Sequence, residues 1–149
     1  MIALLQRVTN AKVVIAGKKI GAIENGILAL IGVEKTDTQE QANRLLERIL
    51  GYRIFSDAQD KMNLSLEDIN GGLLLVPQFT LVANTEKGMR PGFSSAAPPA
   101  EGERLFGYLL QQASRHHQQV EAGQFGADMQ VSLTNDGPAT FWLQVTANK

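Results

Sequence analysis

Runs of apolar residues mark the first third of the chain as a succession of β-strands. These predicted strands are residues 2–9, 12–16, 19–24 and 27–33. Asn10 separates the first two, and a turn at Gly17 and Lys18 leads into the third. Asn25 and Gly26 form a two-residue hairpin signal before the fourth, since both residue types tolerate positive φ. The fourth strand is apolar throughout, which is typical of a strand covered on both faces.

Two later segments place apolar residues at helical spacing. The first helix is predicted to begin after Thr38, which can form a capping box with Gln41, and to end at Gly51. Its apolar stripe consists of Ala42, Leu45, Leu46, Ile49 and Leu50. The second helix is predicted over residues 100–117. Its inward positions are Leu105, Phe106, Leu109, Leu110 and Ala113.

Shorter patterns complete the prediction. Strands are expected over residues 52–55, 73–76, 129–134 and 140–145, a turn of helix over 64–69, and loops over 56–63 and 84–99. No repeat, low-complexity tract or linker divides the chain. Residues 1–149 are therefore predicted to form a single mixed α/β domain, with layered, barrel-like sheets and two main helices packed on one side.

The amino-acid composition limits the kinds of catalytic and metal site that the chain can form. The chain has no cysteine, which excludes a disulfide framework, a thiolate zinc site and a cysteine nucleophile. Its two histidines, His116 and His117, are consecutive and cannot share a helix face. We interpret them as favourable cations at the end of the second helix. No metal and no cofactor are expected, and catalysis must rely on hydroxyls, carboxylates, amides or the backbone.

Charge and hydropathy bear on partners and compartment. A net charge of −1 argues against a protein that coats nucleic acid electrostatically. The N-terminus has no basic region of the kind that begins a signal peptide. The longest apolar run, residues 27–33, is far shorter than the roughly 20 residues that span a bilayer. A cytoplasmic protein without a membrane partner is therefore expected.

A segment that begins at Pro77 stands at the predicted end of a buried strand. Proline cannot donate to a strand ladder, so pairing must break there or lie at an edge. One interpretation is a bulged edge strand with Phe79 in the core. The other is that backbone N–H groups at Gln78, Phe79 and Thr80 face a ligand, with the Thr80 hydroxyl beside them.

The segment of residues 135–140 lies between two predicted strands. Asn135, Asp136, Gly137 and Pro138 are turn residues, so one interpretation is an ordinary turn. The other is a cis Gly137–Pro138 bond, whose flanking carbonyls would point the same way and offer a rigid pair of acceptors. Pattern alone leaves both open.

Taken together, these segments resemble the D-aminoacyl-tRNA deacylases, which proofread chirality in translation. The family signatures are an S-Q-F-T-L segment and an N-x-G-P-x-T segment. The second is complete at residues 135–140, whereas the first carries Pro77 in place of serine. Further matching segments are residues 3–8, 32–34, 51–57, 61–64, 88–91, 93–94 and 127–133.

The resemblance implies a homodimer in which a cis Gly137–Pro138 segment enters the partner's pocket. Its carbonyls would hold the substrate's α-amino group and leave no room for an L side chain, so a D-aminoacyl group or glycine would be accepted. Arg7 corresponds to a family arginine that supports this segment. The substrate would be the aminoacylated 3′ end of tRNA.

The reaction implied is hydrolysis of the ester between the amino acid and the terminal ribose. Gln78, Phe79 and Thr80 form the predicted catalytic segment, with main-chain N–H groups of Phe79 and Thr80 as oxyanion donors. Thr80 would orient water or a ribose hydroxyl; it is not assigned as a covalent nucleophile, because the sequence places no base beside it. Lys87 and Arg90 suit phosphate contacts with the tRNA.

Two other functions remain open from the sequence. A related branch of deacylases removes L-alanine from mischarged tRNA and is similar in having proline at the position of Pro77, although it has a small residue where this chain has Phe79. A non-catalytic module that binds RNA ends or a small metabolite is the second, favoured by the missing serine. A rate of deacylation on defined substrates separates all three.

Overall fold

A 14-residue strand, β1 (Ile2–Ile15), organises the main sheet of the computed structural model, which describes residues 1–147. The strand β8 (Gln130–Gln144) runs antiparallel along nearly all of one edge of β1. Along the other edge lie first β3 (Gly26–Gly32) and then β2 (Lys18–Ile23), both antiparallel to β1. The predicted break at Asn10 is wrong, because Asn10 pairs with Thr134 and the strand continues.

The predicted hairpin at Asn25 and Gly26 is also wrong. Since β2 and β3 follow one another in the same direction along β1, the chain does not reverse between them. The reversal lies earlier, where Ala16 and Gly17 adopt φ of 49° and 79°. Gly26 is required for another reason: a Cβ there would lie 1.9 Å from the carbonyl oxygen of Gly72 on the neighbouring strand.

Two parallel strands extend the sheet beyond β3. These are β6 (Gly72–Pro77) and the short β7 (Val120–Ala122), which the apolar pattern does not predict. The sheet curls until β2 contacts β6 and β7, forming a nearly closed barrel. A Cβ on Gly21 of β2 would lie 3.2 Å from the carbonyl oxygen of Ala122 on β7. The barrel interior contains Val8, Ala11, Val13, Ile23, Leu28, Leu74 and Val76.

The helices cover the opposite face of this sheet. They are α1 (Gln39–Gly51), the short α2 (Leu66–Ile69) and α3 (Pro99–His116), with α1 packed against α3. The predicted capping box is confirmed, because the Thr38 N–H donates to Gln41 Oε1 at 2.7 Å. Both predicted apolar stripes face the main core, where strands β1, β3 and β6 meet the two long helices. Among residues 1–147, no helix is long and apolar enough to cross a membrane.

The segment after α1 differs from its prediction. Tyr52 follows the helix as an extended cap, so no strand begins there. A two-stranded hairpin of β4 (Phe55–Ser56) and β5 (Met62–Leu64) replaces the predicted strand and part of the predicted loop. Its turn is stabilised by Asp57, whose carboxylate accepts hydrogen bonds from the N–H groups of Gln59 and Lys61.

The capping box of α2 makes a prediction for acid stability. The Ser65 N–H donates to Asp68 at 2.8 Å, and this bond, assisted by the Ser65 hydroxyl and the charge of Arg53, lowers the pKa of Asp68 from its ordinary 3.8. The carboxylate therefore stabilises the fold above pH 3.8, and the stabilisation is lost as the pH falls through the lower folded-state pKa. Asp68→Asn should make stability less dependent on pH in the acid range.

Urea unfolding at several pH values between 7 and 2.5 measures this dependence. Glu67→Gln, which removes an equal charge one position earlier in the same turn, is the control. An Asp68→Asn variant that loses stability in acid as steeply as the unmodified chain would contradict the role of the cap.

Candidate active site

The chain leaves the sheet at Pro77, the last residue of β6. The partner strand β7 ends at Ala122, opposite Leu75, so the missing proline N–H costs no hydrogen bond to β7. On the other side, the Gln78 N–H still donates to the carbonyl oxygen of Ile31 at 2.8 Å. Proline is therefore tolerated at a strand end and not, as one interpretation had it, on a bulged edge strand.

A single 3-10 turn (Phe79–Val82) follows, which we call the 79–82 turn. It is closed by the Leu81 N–H donating to Gln78 at 3.1 Å and the Ala83 N–H donating to Thr80 at 3.1 Å. The first N–H groups of a helical turn have no partner within it. Within residues 1–147, the N–H groups of Phe79 and Thr80 donate to no protein acceptor. Two backbone donors are thus available at the surface.

The side chains of Phe79 and Thr80 face solvent. Phe79 is 63% exposed, so the interpretation that places it in the core is wrong. Its ring lies 5.3 Å from that of Phe93, centroid to centroid, with the planes tilted by 46°. The side-chain amide of Gln78 donates through Nε2 to the hydroxyl oxygen of Thr80. Because that oxygen accepts from Gln78, the Thr80 hydroxyl proton is free to point outward.

An open cleft of about 580 Å³ adjoins the turn. Its walls are almost entirely apolar. They are formed by Pro77, Phe79, Phe93, Ala96, Ala97, Pro98, Pro99, Phe125 and Gly126. A concave surface with aromatic walls and a few polar groups at its rim is the usual form of a small-molecule site. Phe125 joins it from the segment after β7, a contribution that the sequence pattern does not indicate.

Gly32, the last residue of β3, supports the turn from beneath. A Cβ at Gly32 would lie 2.8 Å from Val82 Cγ1 and 3.2 Å from Leu81 Cβ. The turn therefore rests directly on the backbone of β3, and the positions of its free N–H groups depend on this close approach.

The second motif forms a bulge in β8. From the pair Gln6–Thr140 to the pair Val8–Asn135, the chain advances by two residues along β1 but by five residues along β8. We call residues 136–139 the β8 bulge; it contains the cis Gly137–Pro138 bond, and all of it except Ala139 is exposed. The interpretation of an ordinary turn is wrong, since the strand continues in the same direction on both sides of the bulge.

Arg7 contacts this bulge directly. Its Nε donates to the carbonyl oxygen of Asp136 at 2.8 Å and lies 3.5 Å from the Asp136 carboxylate. Its Nη1 donates to the carbonyl oxygen of Ile54 at 2.7 Å. The guanidinium therefore ties the β8 bulge to the segment after α1, in the position that the family resemblance suggests.

A single chain does not bring the two motifs together. The 79–82 turn follows Pro77. Pro77 pairs with Ile31 on β3, and Ile31 pairs with Ala3 on β1, so the turn lies near the level of Ala3. The β8 bulge lies level with Arg7, four residues further along β1, or roughly 13 Å away. Three strand spacings, roughly 14 Å in all, separate β6 from β8 across the sheet.

The predicted phosphate-binding residues lie on a closed loop beside the cleft. Asn84 and Gly92 exchange two backbone hydrogen bonds of 2.7 and 3.0 Å at its base. Lys87 and Arg90 are exposed on the loop and line an open depression of about 400 Å³. The loop leads directly into Phe93, so the two cations flank the aromatic wall of the cleft.

The histidines lie away from both motifs. His116 ends α3 one residue before the predicted end, and His117 is its C-cap. The His117 ring is buried, with Nε2 2.6 Å from the carbonyl oxygen of Gly71. Within residues 1–147, no group of three or more histidine or acidic side chains is arranged to hold a metal ion.

Comparisons with known proteins agree with this architecture. The family model described as D-Tyr-tRNA(Tyr) deacylase matches residues 4–144. A protein named D-aminoacyl-tRNA deacylase from Pseudomonas putida (strain W619) is 62% identical over 97% of this chain and 100% of its own length. One of the same name from Proteus mirabilis (strain HI4320) is 60% identical with the same coverage.

Solved structures show the same fold. The c-Myc DNA Unwinding Element Binding Protein superposes with a TM-score of 0.94 at 37% identity, covering 99% of this chain and 100% of that one. A probable eukaryotic D-amino acid tRNA deacylase has a TM-score of 0.83 at 17% identity, with coverage of 97% and 98%, and shows the fold alone. The match of a family model to nearly the whole chain, with relatives at about 60% identity, establishes that the chain belongs to the D-Tyr-tRNA(Tyr) deacylase family.

Proposed function

We propose that the protein hydrolyses the ester of D-aminoacyl-tRNA and so removes D-amino acids from tRNA in the cytoplasm. The observation that carries this proposal is the 79–82 turn, in which the N–H groups of Phe79 and Thr80 have no protein acceptor among residues 1–147 and Phe79 forms part of the rim of the apolar cleft. Two backbone donors at such a rim suit the oxyanion of an acyl-transfer reaction. The family of the chain supplies the substrate class.

In the proposed step, a water molecule attacks the carbonyl carbon of the ester. The carbonyl electrons move onto oxygen, and the resulting oxyanion accepts hydrogen bonds from the N–H groups of Phe79 and Thr80. Collapse breaks the bond to the ribose oxygen, which takes up the proton that the attacking water loses, and releases the D-amino acid and the tRNA. Because the ester is already activated, positioning and oxyanion stabilisation are sufficient for rapid hydrolysis.

The Thr80 hydroxyl has a defined part in this scheme. Its oxygen accepts the hydrogen bond from Gln78, so its proton is directed outward as a donor. We assign it to orient the attacking water or the neighbouring ribose hydroxyl. We do not assign it as a nucleophile, because its oxygen already accepts from an amide N–H and no base is in contact with it among the described residues.

The cleft and its loop fit the end of a tRNA. Flat aromatic walls such as those of Phe79 and Phe93 stack on a nucleobase irrespective of its sequence. Lys87 and Arg90 beside them suit the adjoining phosphates, which carry no sequence information. Contact limited to the 3′ end needs few cations, which is compatible with a net charge of −1.

The proposal includes a homodimer, because the two motifs are remote in one chain. In a two-fold dimer each subunit would supply its β8 bulge to the turn of the other, completing two equivalent sites. Trp142 is 53% exposed and Leu133 is 38% exposed on β8, on a strand that pairs only with β1 among the described residues. This apolar exposure supports burial of β8 against a second copy.

Main-chain carbonyls of the β8 bulge would then hold the α-ammonium group of the substrate. Because these backbone carbonyls contact the α-ammonium group and not the side chain of the substrate, one pocket accepts many D-aminoacyl groups. Rejection of the L enantiomer is steric, and glycine, which has no side chain, is accepted.

A panel of four substrates tests the function. D-Tyr-tRNA and Gly-tRNA should be deacylated, whereas L-Tyr-tRNA and mischarged L-Ala-tRNA should react at least about 100-fold more slowly. That ratio corresponds to roughly 2.8 kcal/mol, within the cost of forcing extra atoms into a close-packed site. Release of each amino acid under single-turnover conditions is the measurement, and uncatalysed hydrolysis of each ester is the control.

The other outcomes assign the chain differently. Release of L-alanine alone would place it with the deacylases of mischarged L-alanyl-tRNA, in keeping with Pro77. Binding of tRNA without release of any amino acid would identify a non-catalytic module for RNA ends.

A further inference from the structure

We infer that Asn135 is a positioning residue that holds the β8 bulge in the conformation that discriminates D from L substrates. The inference rests on the proposed function, because it assigns Asn135 a part in that specificity. It concerns a side chain that contacts no part of the 79–82 turn in its own subunit and that acts through Gly137 and Pro138.

The Asn135 amide spans the base of the bulge. Its Nδ2 donates to the carbonyl oxygens of Arg7 and Ala139, both at 2.9 Å, and to Gln6 Oε1 at 3.0 Å. Its Oδ1 accepts from the Ala139 N–H at 3.4 Å. The Asn135 side chain therefore links the start of the bulge to Ala139, its last residue, and to strand β1. Both the nitrogen and the oxygen of the amide form hydrogen bonds.

The bulge is shaped around this amide. A Cβ at Gly137 would lie 2.0 Å from Asn135 Oδ1 and 2.6 Å from the Ala139 nitrogen. Only a residue without a side chain can pass over the amide at this distance. Gly137 and Asn135 therefore form one steric unit, in which the glycine permits the close approach and the asparagine defines it.

Two neighbours on β1 hold the bulge from opposite faces of the sheet. Successive residues of a strand point to opposite faces, so Gln6 and Arg7 lie on different sides. Gln6 Oε1 accepts from Asn135 and from the Thr140 hydroxyl, at 3.0 and 2.6 Å, while Arg7 contacts the Asp136 carbonyl. Asn135 is the side chain that closes this arrangement across the bulge itself.

Specificity by steric exclusion needs a rigid wall. A site held about 1 Å too loosely loses geometric selection, because the wall can retreat from the wrong substrate. Loss of the Asn135 clamp should therefore raise the rate on L substrates and lower the rate on D substrates, whereas a purely structural role would change stability and leave their ratio unchanged.

The test compares Asn135→Ala and Asn135→Asp with a matched control, Asn10→Ala. Asn10 lies in the same β1–β8 ladder beside Thr134, outside the bulge, and among residues 1–147 its amide forms a hydrogen bond only with the Thr9 hydroxyl. Asn135→Asp keeps the size of the side chain but replaces the Nδ2 donor with a carboxylate oxygen. This oxygen would face the three oxygen atoms that accept hydrogen bonds from Asn135. We expect the ratio of kcat/KM for D-Tyr-tRNA to that for L-Tyr-tRNA to fall at least about 10-fold in both Asn135 variants and to remain unchanged in Asn10→Ala.

A second measurement does not depend on activity. Amide hydrogen exchange in the β8 bulge should be at least about 10-fold faster in Asn135→Ala than in Asn10→Ala. An unchanged D/L ratio in an active, folded Asn135→Ala variant would overturn the inference. If the unmodified protein deacylates none of the substrates, the proposed function fails, and unaltered exchange in the bulge would then overturn the positioning role independently.

Discussion

The Gly32→Ala variant is expected to lose at least about 100-fold in kcat/KM towards D-aminoacyl-tRNA while it keeps its fold. The added Cβ would lie 2.8 Å from Val82 Cγ1 and 3.2 Å from Leu81 Cβ, so the 79–82 turn must move away from β3. Val82 is buried and β-branched, which leaves its side chain little freedom to yield. Displacement of reacting groups by about 1 Å can cost on the order of 100-fold in rate.

This substitution tests catalysis by backbone groups, which cannot be deleted by mutation. It alters no side chain of the catalytic segment and displaces the turn that carries the N–H groups of Phe79 and Thr80. Gly107→Ala in α3 is the matched control, because a Cβ there meets nothing within 4 Å. The measurements are single-turnover deacylation and thermal unfolding. A folded Gly32→Ala variant with the full rate would show that the turn does not supply the oxyanion donors.

Mixed dimers of two inactive variants are expected to recover about a quarter of the unmodified activity. Gly137→Ala distorts the β8 bulge, because its Cβ would lie 2.0 Å from Asn135 Oδ1, while Gly32→Ala distorts the turn. In a mixed dimer, one site combines the intact turn of the first variant with the intact bulge of the second. The other site carries both defects. Random exchange makes about half of the dimers mixed, and half of their sites are intact.

Two affinity tags isolate the mixed dimer and raise the expected recovery to about half. Each variant carried through the same exchange alone is the control and should remain inactive. Purified mixed dimers without activity would contradict a site shared between subunits. A molecule that remains monomeric in sedimentation at assay concentration would contradict it equally.

Local signals in the sequence were sufficient for most elements. Thr38 and Gln41 cap α1 through contacts three residues apart, and the apolar stripe of the same helix repeats within two turns. Features that depend on distant segments were missed. Gly26 resembles a hairpin residue, but it is required by the approach of Gly72 from another strand. The three residues of β7 are too few to produce a pattern, and pairing with β6 defines them.

The candidate site also combines features with a local sequence signal and features that depend on distant segments. Residues 78–81 and 135–140 are contiguous motifs, so the family resemblance singles them out from the sequence. The contact of Gly32 with the turn, the place of Phe125 in the cleft wall and the hydrogen bonds of Asn135 across the bulge follow from no local pattern. Each acts on a residue that folding brings close, as the contact of Gly32 with Val82 illustrates.

The sequence by itself determined the family, the two main helices and the candidate catalytic segments, because capping, apolar spacing and motif residues act over a few positions. The tertiary structure alone decided that residues 136–139 form a bulge in a continuous strand and that Phe79 is exposed beside an apolar cleft. It also decided that the two motifs lie far apart within one chain. The reason is physical, because packing and hydrogen bonds between strands set the register of β1 against β3 and β8. The paired residues of β1 and β8 are more than 100 positions apart in the sequence, and no local pattern contains that register.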